Sequence, residues 1–153
     1  MPQKLVFMGT PKFSLPTLEI LLKSEHKVLA VYTQPPRKSN RGQKINPSDI
    51  EAFSKKHLLK LRTPENLNED EEFNYLKKLK PDIVVVVAYG KIIPKRFLDL
   101  PKNGFINIHA SLLPVWRGAA PIQRSIMNLD KETGISIMKI VESLDAGPVM
   151  QQE

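Results

Sequence analysis

Apolar residues recur along this chain in two rhythms, and each predicts a different element. Lys4-Leu5-Val6-Phe7-Met8 is a short apolar run that reads as a buried strand ended by Gly9. Thr10 has the side chain of a helix N-cap, and Pro11 suits a first helical position. A helix is therefore expected from there through Lys23, with Leu15, Leu18 and Leu22 on one face. Lys27 to Thr33 predicts a second strand. Pro47 to His57 predicts a helix opened by Pro47 or Ser48, and Leu58 to Leu61 a short strand. From Asn66 to Leu79 a helix is expected, because Glu69, Asp70, Glu71 and Glu72 precede Lys77, Lys78 and Lys80. Acid first and base last complements a helix dipole. Asp82 to Ala88 is rich in β-branched residues, as in a strand covered on both faces. Gly104 to Ile108 and Gly134 to Val141 predict further strands. After Thr133, a hairpin is the alternative to another parallel strand.

Strands alternating with helices imply an α/β fold with a doubly wound, mostly parallel sheet. Ligands of such sheets bind beyond the C-terminal ends of the strands. The loops starting at Gly9, Gln34, Tyr89, His109 and about Val141 are expected on that edge. A dinucleotide fingerprint is missing, since Gly9 is followed by Thr10-Pro11-Lys12-Phe13 rather than by further glycines. A length of 153 residues fits one domain with a real core.

Composition narrows the setting. The absence of cysteine excludes disulfides and Cys-based metal sites. No apolar run approaches the roughly 18 residues of a membrane span, and no signal-peptide layout opens the chain, so a cytoplasmic protein is expected. A net charge of +7 favours polyanionic partners. Arg37, Lys38, Arg41 and Lys44 lie between Gln34 and Asn46 with no acidic residue among them. On composition alone, a solvated basic loop and a nucleic-acid contact are equally good readings.

The candidate chemistry follows the Gly104 strand. Asn107 and His109 stand at i and i+2, so in a strand they project to one side. The chain then turns through Ser111-Leu112-Leu113-Pro114. A lone His at a strand end is more often structural than catalytic; an amide on the same face changes that balance. No second His or Cys lies near enough in sequence to suggest a metal site. Asp145, in Ser143-Leu144-Asp145-Ala146-Gly147-Pro148, would by itself be a turn residue.

Asn107, His109, Asp145 and the Ser111–Pro114 loop together resemble the formyltransferases that use 10-formyltetrahydrofolate. Arg117-Gly118-Ala119-Ala120-Pro121-Ile122-Gln123-Arg124-Ser125, Phe7-Met8-Gly9-Thr10-Pro11-Lys12-Phe13 and Val85-Val86-Val87-Ala88-Tyr89-Gly90 narrow the resemblance to the methionyl-tRNA formyltransferases. It covers essentially the whole chain.

The resemblance implies a Rossmann-like fold and formyl transfer from 10-formyltetrahydrofolate to the amino group of methionyl initiator tRNA, with no metal. Asn107, His109 and Asp145 would be the catalytic trio. Tyr89, Gly90, Ile92, Ser111, Leu112, Leu113, Pro114 and Val141 would lie against the folate. Arg37, Lys38, Arg41 and Lys44 would meet the tRNA. A cis Leu113–Pro114 bond is implied as well. The family has a further C-terminal domain, so residues 1–153 are expected to be a truncated catalytic domain, monomeric. Transfer to an amino sugar or a ribonucleotide is the alternative activity. An inactive folate-binding remnant is the alternative without one. The basic loop is expected to be mobile when no tRNA is bound.

Overall fold

The computed structural model describes residues 1–39 and 44–153. The elements are β1 (Lys4–Gly9), α1 (Leu15–Lys23), β2 (Lys27–Tyr32), β3 (Arg37–Ser39), β4 (Lys44–Asn46), α2 (Asp49–Lys56), β5 (Leu61–Arg62), α3 (Asp70–Leu79), β6 (Ile83–Val87), β7 (Phe105–His109), α4 (Pro121–Met127), β8 (Ser136–Lys139) and β9 (Val149–Gln152). A seven-stranded sheet runs in the order β5-β2-β1-β6-β7-β8-β9. Its first five members are parallel, whereas β8 and β9 are antiparallel. β3 and β4 form a separate antiparallel ribbon.

Each central strand feeds two cores by simple alternation. Val6, Met8, Tyr32, Val84, Val86 and Phe105 face Leu76 of α3 and Phe97. Phe7, Val31, Val85 and Val87 face Leu18 of α1 and Ile50 of α2. Helices therefore cover both faces, as the α/β expectation requires. Leu18 is fully buried, and its truncation to Ala would cost about 2–5 kcal/mol. Among the described residues no helix is long and apolar enough to cross a membrane.

Several expected boundaries move, each for a local reason. Thr10 does not cap a helix. A 3-10 turn at Lys12–Ser14 intervenes and α1 starts at Leu15. The Thr10 hydroxyl instead donates to the Tyr89 carbonyl at 2.8 Å. α3 starts at Asp70 rather than Asn66, because the Asn66 side chain accepts the Asn68 N–H at 3.0 Å and offers a turn in place of a helix. Leu58 begins no strand. With φ 54 it terminates α2, and the short β5 is Leu61–Arg62. Ser48 caps α2 by accepting the Glu51 N–H at 3.0 Å. The segment after Thr133 is the hairpin β8–β9.

Candidate functional site

β7 carries the site. Phe105 enters one core while Ile106 and Ile108 pack against the other. The pleat therefore sends Asn107 and His109 out on the Phe105 face, at the strand's C-terminal end. Asn107 is half-buried. Among the described residues no hydrogen bond engages its side-chain amide, which leaves an oriented donor available at the strand end.

His109 is buried, and both ring nitrogens face acceptors. Nε2 lies 2.8 Å from the Trp116 carbonyl. A carbonyl only accepts, so Nε2 carries a proton here. Nδ1 is 3.8 Å from Asp145 Oδ2, an ion-pair distance beyond hydrogen-bond length. The same Asp145 oxygen accepts the Gly118 N–H at 2.7 Å. One short strap thus supplies a partner to His109 through the Trp116 carbonyl and to Asp145 through the Gly118 amide. Trp116, Gly118 and Ala120 all have positive φ, at 55, 83 and 56. Asp145 does too, at 45. Such backbone in residues other than glycine gathers where surrounding structure over-determines it.

β8 runs against β7, so its end at Lys139 sits level with Ile106 and not with His109. The loop from Val141 consequently starts near the N-terminal end of β7, about 13 Å from the strand end at 3.3 Å per residue. That corrects the expectation that this loop begins on the same edge as the others. It must climb back to deliver Asp145. Gly147 permits the return, because a Cβ there would collide with the Lys139 carbonyl.

The residues expected against a folate separate into two groups. Ile92 and Val141 are exposed apolar side chains, and Pro114 is exposed after a cis Leu113–Pro114 bond. Tyr89, Ser111 and Leu113 are committed inward. The Tyr89 ring is in the core, and burial pushes its phenol above the usual range. Ser111 Oγ donates to the Val115 carbonyl at 2.6 Å, and the Leu113 N–H donates to Ser136 Oγ at 3.0 Å. Leu112 lines a separate concavity of about 280 Å³ with Val115, Trp116 and Asp130. Val141 lines one of about 380 Å³ with Leu98, Gly104 and Ile140, spanned by an exposed Lys95–Glu142 pair at 2.8 Å.

The basic segment is a β-ribbon where it is described. Arg37 pairs with Asn46 and Lys38 with Ile45. Arg41 lies outside the described residues, as do the side-chain placements of Lys38 and Lys44 and the tip on which the expectation of mobility rests. Thr33 and Ser48 hydroxyls join across the base of the ribbon at 2.7 Å. Gln34 Nε2 donates to the Tyr89 carbonyl at 2.9 Å, beside the Thr10 hydroxyl. Gly90 sits at φ 80, a left-handed backbone that favours glycine, and a Cβ there would also displace the Gln34 amide. Lys91 donates to the Pro64 and Glu65 carbonyls at 2.5 and 2.6 Å, and burial holds its pKa below the usual lysine range.

The family model described as Formyl transferase matches residues 3–153. The chain belongs to the formyl transferase family. This formyl transferase is 63% identical over 150 residues to the methionyl-tRNA formyltransferase of Pelagibacter ubique, covering 97% of the chain and 48% of that protein. It is 51% identical to that of Parvibaculum lavamentivorans, over 98% of the chain and 48% of the relative. The chain therefore spans about half the length of the curated relatives it matches. Among solved structures, phosphoribosylglycinamide formyltransferase from Bacillus halodurans superposes with a TM-score of 0.80 at 22% identity, over 99% of this chain and 78% of that one. A formyltetrahydrofolate deformylase from Pseudomonas syringae gives 0.76 at 23%, over 100% and 51%. These two likenesses speak for the fold.

Sequence reasoning about this formyl transferase missed the parts that tie its loops together. Thr10 read as a helix N-cap and Gln34 as the start of a loop, and their shared acceptor on Tyr89 reveals a knot. Trp116 stood outside the expected site residues, yet its carbonyl is what meets His109. Ser136, which donates to the Ser111 carbonyl at 2.6 Å and accepts from Leu113, gave no signal at all.

Proposed function

We propose that this chain carries the formyl-transferring site of a methionyl-tRNA formyltransferase, moving a formyl group from 10-formyltetrahydrofolate to the α-amino group of methionine on initiator tRNA. The observation that carries the reading is the convergence of Asn107, His109 and Asp145 at the end of β7, with no hydrogen bond to the Asn107 amide among the described residues. The high identity to proteins of that name supports the choice of acceptor.

The amine nitrogen attacks the formyl carbon, and a C–N bond forms as the carbonyl oxygen becomes an oxyanion. Asn107 donates to that oxygen. His109, with Nε2 held on the Trp116 carbonyl and Nδ1 facing Asp145, stands beside it to relay the proton that the amine gives up. Collapse breaks the bond from the formyl carbon to N10 of the folate. The proton lost by the amine ends on that nitrogen, carried by His109 or water. The exposed Ile92, in the loop that starts at Tyr89, and Pro114 at the Leu113–Pro114 bend offer apolar surface for a flat pterin, with backbone amides for its polar edge. The basic segment that holds Arg37, Lys38, Arg41 and Lys44 takes the acceptor-stem phosphates.

The test offers labelled 10-formyltetrahydrofolate with methionyl-tRNA, an amino sugar or a ribonucleotide amine. Formylation of the tRNA ester alone is expected. Preference for either small amine would overturn the acceptor assignment. Tight binding of a folate analogue with no transfer to any acceptor would leave a binding-only protein.

A further inference from the structure

We propose that Asp130 is a positioning residue for His109, acting through Trp116. The proposal deepens the reading above, and only its turnover arm rests on that reading. Asp130 follows α4 and touches neither Asn107 nor His109. Its Oδ2 accepts the Trp116 indole N–H at 2.6 Å, while Oδ1 accepts from the Asn128 amide at 2.6 Å. Both carboxylate oxygens are thereby held. The bond to the indole is charge-assisted and so among the stronger kinds.

Trp116 needs such an anchor. Its φ of 55 is a left-handed backbone that a bulky L residue adopts only when its surroundings impose it. That twist turns the Trp116 carbonyl onto His109 Nε2 at 2.8 Å. The preceding residue is pinned as well, since the Val115 carbonyl accepts from Ser111 Oγ. With the carbonyl in place, the Nε2–H tautomer is the one that fits, and Nδ1 is left facing Asp145. Asp130 thus fixes which nitrogen of the imidazole carries its proton, from two residues away in contact. If the indole anchor is lost, the backbone at Trp116 is free to relax and the carbonyl leaves the ring.

The proposal is tested by ¹⁵N NMR of the imidazoles, with the other two histidines assigned by replacing His26 and His57 with Gln. At mildly alkaline pH the native chain should show His109 as the single Nε2–H tautomer. Asp130→Ala should give averaged signals or the Nδ1–H tautomer, because Asp145 is then the acceptor left beside the ring. Asp130→Asn, whose amide oxygen still accepts the indole N–H, should restore the native signals. Trp116→Phe keeps a ring but removes the donor, and should behave as Asp130→Ala does; it serves if Asp130→Ala fails to fold. In transfer assays Asp130→Ala should lower kcat by about tenfold or more with KM little changed. An unmixed Nε2–H tautomer in folded Asp130→Ala or Trp116→Phe would overturn the proposal. Tautomer mixing, or the Nδ1–H form, without transfer by any variant, native included, would uphold the positioning role and sink the formyl-transfer reading instead.

Discussion

The end of β7 and the β3–β4 ribbon lie on the same side of one sheet and are built in opposite ways. At β7 the side chains are buried or half-buried, and His109 and Asp145 each have partners fixed by a strap of left-handed residues. In the ribbon, Arg37 and Ile45 are exposed, and the attachments are at the base, through Thr33–Ser48 and through Gln34 to the Tyr89 carbonyl. Chemistry requires donors held to a fraction of an ångström, whereas phosphate recognition requires charge that can follow a large partner. The knot of Thr10, Gln34 and Tyr89 ties the base of the ribbon to the loops that follow β1 and β6.

The comparison breaks most visibly at His109. His109→Ala should lower formyl transfer by roughly a hundredfold or more, with methionyl-tRNA affinity little changed; a loss confined to tRNA binding would merge the two regions into one. Neutralising the ribbon by Arg37→Ala, Lys38→Ala, Arg41→Ala and Lys44→Ala together should do the reverse. Folate binding should persist while the slope of log K for tRNA against log salt falls by about 0.7–0.9 per lost phosphate contact. An unchanged slope would make the ribbon a solvated surface feature.

Smaller effects sharpen the junction. Gln34→Ala should cost about 1 kcal/mol in denaturant unfolding, the ordinary worth of a net hydrogen bond, and should weaken both substrates together. A loss for one substrate only would deny the knot a coupling role. Tyr89→Phe should be smallest. Among the described residues the phenol has no hydrogen-bond partner, so stability at neutral pH should hold or rise by up to about 1–3 kcal/mol, with folate affinity unchanged. Burial raises the phenols of Tyr32 and Tyr89 in the folded chain. The unfolded chain releases these protons above about pH 10, so the folded state binds more protons there and stability falls as pH rises. Tyr89→Phe should soften that alkaline loss; an unchanged alkaline limb would place the ring in water.

The sequence made the sheet and the donor pair legible because both follow from period. The β-branched Asp82–Ala88 run contains β6, and the i, i+2 spacing placed Asn107 and His109 on one face. Elements decided by tertiary partners were less legible. β9, Val149-Met150-Gln151-Gln152, has no β-branched alternation and exists because β8 offers it an edge. α4 follows the left-handed Ala120, which has no capping side chain to announce a helix. The resemblance implied that Tyr89 lies against a folate. Its ring turns inward, and only its carbonyl serves that edge.

The central claim is that Asn107 acts on the oxyanion and not on the bound folate. Single-turnover transfer to methionyl-tRNA, measured beside folate-analogue affinity in Asn107→Ala, tests it directly. Turnover should fall by roughly a hundredfold or more, while affinity changes by less than about threefold, because the oxyanion exists only after attack. Equal losses in turnover and affinity, or no loss in either, would contradict it.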